Sequence, residues 1–101
     1  MLENKMLDIN KVDQEGVNSF WIAARFGHGG VMRVLAENGI DVLNKDSKGY
    51  NALHIAAKFK YDNIVKMLVH SKYPLDEQTN EGETAVAIAS QRGHFEILKT
   101  L

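Results

Sequence analysis

Apolar residues fall in short helical runs separated by polar breaks. The stretch 46–68, DSKGYNALHIAAKFKYDNIVKML, sets the pattern. Gly49 marks a turn, and Asn51 is a helix N-cap type whose side chain can accept a bond from a free first-turn N–H. Ala52 to Phe59 reads as a short helix with two adjacent small residues, Ala56 and Ala57. Lys60-Tyr61-Asp62 breaks it. A second helix then places Ile64, Val65, Met67 and Leu68 on one face. A turn plus two antiparallel helices of this size cannot bury its apolar faces alone.

The same pattern returns every 33 residues. Gly16, Gly49 and Gly82 share the phase, as do the cap-type residues Asn18, Asn51 and Thr84. Ala23, Ala56 and Ala89 follow, then Ala24, Ala57 and Ser90. Val31, Ile64 and Ile97 match, and so do Leu2, Leu35, Leu68 and Leu101. Self-similarity at a fixed period is the signature of a stacked array, in which neighbours complete one another's core.

The middle copy reads Asn51-Ala52-Leu53-His54-Ile55-Ala56. It resembles the ankyrin repeat, a 33-residue unit with a T-P-L-H-x-A motif. The resemblance runs over essentially the whole chain. It implies an all-α solenoid of three helix-turn-helix repeats joined by β-hairpin-like loops. The expected divisions are the end of a preceding repeat in 1–12, repeats in 13–45 and 46–78, and an incomplete third repeat in 79–101. Met6-Leu7-Asp8-Ile9-Asn10 is similar to the G-A-D-V-N segment that ends an ankyrin unit, one period before Gly39-Ile40-Asp41-Val42-Leu43. The first and last residues thus share a phase, and neither end carries a polar cap. The chain reads as an excerpt of a longer array, or as a small protein whose ends pack on something else. Met1, Leu2, Ile97, Leu98 and Leu101 are then unsatisfied, and the chain is expected to fray at both ends or to associate end to end.

Each copy departs from the motif in its own way. Repeat one has Ser19 where proline is favoured, Phe20 as the buried anchor and Trp21 in place of the histidine. Gly29-Gly30 opens its outer helix at a cost of roughly 1 kcal/mol per glycine relative to alanine, which predicts a late-starting or mobile helix. Val31, Met32, Val34 and Leu35 are its expected core face. In repeat two, Lys72 replaces the glycine that ends the outer helix, so Pro74 is expected to stop it instead. Repeat three has Val86 at the anchor and Ala87 at the histidine position.

Composition narrows the function. The 101 residues, 45% apolar and 25% charged, form one ordinary globular domain by size. A net charge of −1 argues against broad capture of nucleic acid. The absence of cysteine rules out disulfides and thiolate metal sites and permits a cytoplasmic or other intracellular location. No apolar run approaches a membrane span, and residues 1–12 are no signal peptide.

Little of the sequence suggests catalysis. His28 and His94 stand two periods apart, which points to a repeated bond across the interhelix loop. His54 is expected to bond backbone of the adjacent loop, and His70 to be solvated. The histidines lack the spacing of a metal site. Gly27-His28-Gly29-Gly30 follows a helix rather than a strand, so it is no phosphate loop. Asp76 and Glu77 are adjacent rather than opposed across a cleft. No enzymatic activity and no cofactor are expected.

The resemblance implies a protein-binding scaffold or adaptor, with partners held on inner helices and hairpin tips. Arg25-Phe26, Lys58-Phe59 and Gln91-Arg92 recur in phase just before each interhelix break, so they form one expected strip. Tyr50, Ser47, Lys48 and Glu83 flank it. Phenylalanines bordered by cations suit a partner segment with acidic and apolar side chains, unless both rings serve only the core. Two other readings compete: an accessory segment of a larger enzyme or channel, and a nucleic-acid binder using Arg25, Lys58, Lys60 and Arg92. Leu2 and Asp8-Ile9-Asn10 also resemble the pattern that asparaginyl hydroxylases accept in ankyrin repeats, which makes Asn10 a modification candidate beside its plainer role in a turn.

Overall fold

The computed structural model describes residues 9–101. Each repeat begins with the same polar staple. Asp13 Oδ1 accepts from the Glu15 and Val17 amides at 2.9 and 3.1 Å. Asp46 Oδ1 does the same for Lys48 and Tyr50 at 3.0 and 2.9 Å. Thr79 Oγ1 takes the role for Glu81 and Glu83 at 3.2 Å each. The turn closes through a left-handed residue. At Gly49 (φ 84°) a side chain would also strike Asn80, whose Oδ1 would lie 2.6 Å from an added Cβ. Only glycine meets both demands.

An N-cap then launches each inner helix. Asn18 caps α1 (Ser19–Arg25), Asn51 caps α3 (Ala52–Lys58) and Thr84 caps α5 (Ala85–Arg92), each accepting from an amide three residues on. The outer helices are α2 (Gly29–Glu37), α4 (Asp62–His70) and α6 (Phe95–Thr100). Each inner helix packs on its own outer helix. Inner packs on inner and outer on outer between neighbouring repeats, giving a two-layered body of 46 × 25 × 20 Å. No strand occurs among the described residues.

The core is the seam between layers and repeats. Ala24, Ala56, Ala57 and Ala89 are fully covered, so small residues set how closely the inner helices approach. Phe20 and Leu53 are buried as the anchors of their repeats, Leu53 at 1% exposure. Val86, the third anchor, is exposed because α5 packs only on α3 and α6 among the described elements. Ile97 is buried rather than unsatisfied, while Leu98 and Leu101 are half-buried. Met1 and Leu2 lie outside the described residues.

Three further expectations are corrected. The outer helix of repeat one does not start late: α2 begins at Gly29, in phase with Asp62 and Phe95. Met32, wholly buried, holds it down, and burying such a side chain is worth about 1.5–3 kcal/mol, enough to offset the glycine penalty. Its core face is also narrower. Met32 is buried and Leu35 half-buried, but Val31 and Val34 are 51% and 56% exposed. Their flank of α2 faces away from α4, whereas Ile64, in the phase of Val31, is buried. Finally, Pro74 does not end α4. Lys72 itself takes the left-handed conformation (φ 62°) that Gly39 takes (φ 87°). Its amide reaches Val69 O at 3.1 Å and Tyr73 N reaches Leu68 O at 3.0 Å, reproducing the bonds made after α2. A left-handed lysine costs about 1–2 kcal/mol, and the burial of Tyr73 beyond it holds the turn.

His54 ties the start of its inner helix to the hairpin that ends repeat two. Its Nδ1 accepts from the Asn51 amide at 3.0 Å, and its Nε2–H donates to Glu77 O at 2.8 Å. Both bonds require the neutral ring with its proton on Nε2. Burial lowers its pKa from the ordinary 6.5, against the raising pull of the Glu77 carbonyl bond and the carboxylates of Glu77 and Glu83; Lys45 adds to the lowering.

Two stability predictions follow from this packing. Leu53→Ala should cost roughly 2–5 kcal/mol, read from urea or thermal unfolding; a negligible loss would mean that the anchor register is wrong. His54 gains a proton more readily unfolded than folded. Its contribution is therefore complete above pH 6.5 and is lost as pH falls through the depressed folded value. The urea midpoint should drop between neutral pH and the upper edge of the carboxylate range, and His54→Gln should flatten that slope. A midpoint that rises on acidification would contradict the assigned ring state.

Candidate functional site

The inner-helix ends and hairpin tips of repeats one and two enclose a groove of about 390 Å³. Trp21 and Ile55 line it from α1 and α3, Arg25, Lys58 and Phe59 from the helix ends, and Tyr50 from the hairpin. Glu15, Asp46, Ser47 and Lys48 line it at the tips.

The 33-residue phase turns into a ladder of rings and cations. The Arg25 guanidinium carbon lies 4.1 Å from the Phe59 ring centre and 5.1 Å from that of Phe26. The Lys58 ammonium lies 5.6 Å from Phe59 and 5.2 Å from Tyr50. The Tyr50 hydroxyl then donates to Glu83 Oε1 at 3.4 Å. Each cation–ring contact is worth about 0.5–1 kcal/mol at such exposure and, more usefully, restrains a long flexible side chain. Neither Arg25 nor Lys58 has a carboxylate partner: the ion pairs among the described residues are Lys45–Glu77 and Lys99–Glu96.

The rings are not equivalent. Phe26 is 60% exposed. Phe59 is half-buried, with Arg25 over it and Tyr61 tilted beside it at 6.4 Å. Tyr61 is braced in turn: its hydroxyl donates to Arg25 O at 3.1 Å, and its ring would meet any Cβ on Gly27 (φ 79°) at 3.1 Å. Burial, then the Glu83 carboxylate, pushes the Tyr50 phenol up from its ordinary value. Gln91 and Arg92 continue the phase on α5 as exposed side chains, but neither makes a ring contact with the ladder.

The sequence reading passed over two contributors. Trp21 lines the groove and donates its indole N–H to Tyr50 O at 2.9 Å, which fixes the ring next to the ladder. Asn44 does for repeat one what the histidine does for repeat two. Its Oδ1 accepts from the Asn18 amide at 2.9 Å and its Nδ2 donates to Gly16 O at 3.0 Å. An asparagine 26 residues from the amide it serves gave no local signal; Trp21 was visible as a departure from the motif.

The expected bond of the interhelix histidines across their own loop is not made. His94 Nδ1 pairs with Ala57 O of the preceding inner helix at 2.9 Å, and exposed His28 makes no side-chain bond among the described residues. Asn10 Oδ1 accepts from the Asp41 amide at 2.6 Å, so it pins the start of the next hairpin. Leu2 and Asp8, the rest of its proposed modification pattern, lie outside the described residues. Among the described residues no group of three or more histidines or carboxylates could hold a metal, and no helix is long and apolar enough to cross a membrane.

The comparisons agree with this geometry. No curated protein matches the chain. A family model described as ankyrin repeats (3 copies) matches residues 1–76 and again 47–101. With its repeated turn staples, caps and paired helices, the chain belongs to the ankyrin-repeat family.

Proposed function

We propose that this chain is a scaffold or adaptor module that holds a partner protein segment against the Phe26–Arg25–Phe59–Lys58–Tyr50 ladder. Ankyrin repeats in general are protein-interaction modules. The observation that carries the finer reading is Arg25, held between two phenylalanine rings and free of any carboxylate. A guanidinium stacked by its face keeps its N–H edge available for bidentate pairing with a carboxylate. Exposed Phe26 offers the apolar surface beside it. The matching segment carries acidic and apolar side chains. Glu15, Glu81 and Glu83 stand around the hairpin tips and disfavour nucleic acid on the same face.

Trp21 is the chain's one tryptophan, so its emission reports on the groove. Titration with synthetic peptides that combine glutamate with leucine or phenylalanine should shift that emission, and the affinity should fall with salt. Phe26→Ala with Phe59→Ala should weaken binding by about 30-fold or more, the ratio for a hot spot of about 2 kcal/mol. The same double variant should lose much less stability than the roughly 3–5 kcal/mol of one fully buried ring. A large stability loss would place the rings in the core and sink the assignment. Unchanged affinity in an Arg25→Glu, Lys58→Glu variant would do so as well.

A further inference from the structure

A second groove, of about 560 Å³, opens between the C-terminal halves of α2 and α4. It shares no lining residue with the inner-helix groove. Its floor is core: Phe20, Met32, Leu68 and Tyr73 are all buried. The Tyr73 hydroxyl donates to Val42 O at 2.7 Å, so its polar tip is satisfied. Met67 and Leu43 form apolar walls, Leu43 at 48% exposure.

The groove gathers the places where the repeat pattern fails. Ala36 lines it where the next repeat has Val69, so one wall is cut back. Ser71, Lys72, Tyr73 and Pro74, the segment in which repeat two departs from repeat one, build the other end. Lys72 stands in left-handed geometry where repeat one uses glycine. The rim carries Arg33, Lys72 and Glu37, all exposed, and none has an ion-pair partner among the described residues. Among the lining residues the cations Arg33 and Lys72 outnumber the one carboxylate, Glu37, while Asp41 and Glu77 act on Tyr73 from beyond the lining.

We infer that this groove between α2 and α4 docks an amphipathic helix of a protein partner, with apolar side chains against Met67 and Leu43 and acidic residues against Arg33 and Lys72. The openness of the trough favours a macromolecule over a small ligand. Its floor is covered but most of its lining is exposed, whereas small-molecule sites enclose most of their ligand's surface. Side chains at i, i+3 and i+4 of a helix fill such a trough while the backbone stays outside. Two grooves without a common residue let one chain hold two segments at once.

The test uses the whole chain carrying Arg25→Glu and Lys58→Glu, so that the inner-helix groove is disabled. A displayed library of amphipathic helical peptides is selected on it, and enriched peptides are mapped by NMR shifts. Enriched peptides should carry apolar residues at helical spacing with an acidic excess, and should shift Ala36, Leu43 and Met67. Ala36→Leu, which fills the trough from an exposed position, should weaken them at least tenfold. Arg33→Glu with Lys72→Glu, both exposed, should weaken them several-fold and supplies the test independently if Ala36→Leu disturbs the fold. The proposal is overturned if no helical peptide is enriched, or if binding ignores both variants. It is overturned equally if the groove takes decanoate in preference to every peptide, or if it mediates self-association of the chain instead.

Discussion

A two-helix repeat of this length has more apolar surface than it can cover by itself. Everything else in the molecule follows from covering it with neighbours. The inner helices meet through Ala24, Ala56, Ala57 and Ala89, all fully buried. Such small side chains let the helices approach closely, and a larger one would force them apart. The effect of position is plain in α3, where every residue from Ala52 to Ala57 is buried because α1 and α5 flank it. In α1 and α5, Ile22 and Val86 remain exposed on the flanks without a described neighbour.

Close approach buries backbone groups, and those groups need partners. Repeats one and two meet that need differently. In repeat two, the His54 ring bridges the Asn51 amide and Glu77 O of the hairpin that leads to repeat three. In repeat one, Asn44 reaches back to the Asn18 amide and Gly16 O, while Asn18 Nδ2 donates to Asp41 O. The hairpin tips differ too. Asn80 clasps Ser47 O and Lys48 O at 2.9 and 3.0 Å, with its side chain packed where Gly49 has none. Position 47, one period earlier, is Ser47, which makes no such clasp and lines the groove instead. The candidate groove therefore lies at the junction left without a side-chain clasp at its tips, beside a tryptophan freed from the histidine's bridging role.

Much of this was legible because repetition multiplies a weak signal. One Asn before a short apolar run says little; Asn18, Asn51 and Thr84 at one phase fix the start of three helices. The same logic found Phe20, Leu53 and the alternation of rings and cations on the inner strip. It failed where neighbours decide the outcome. Val31 and Ile64 share a phase, yet only Ile64 has an outer helix on its flank. Gly29-Gly30 carries a propensity penalty that the burial of Met32 overrides. Lys72 is a poor left-handed residue, and the buried Tyr73 beyond it fixes that turn regardless. Asn44 lies in a loop 26 residues from the amide it satisfies, and no local pattern announces such a bond.

Stability in a stacked array is set by nearest neighbours, so it should be greatest where a helix has two. That is the most exposed claim of this account, because both grooves depend on α3 and α4 as the fixed central unit. Native-state hydrogen exchange measures it residue by residue. The account predicts that amides of α3 exchange slowest, near the free energy of global unfolding, with α1 and α5 opening at lower free energy. Amides of α3 that exchange as fast as those of α1 and α5 would contradict it.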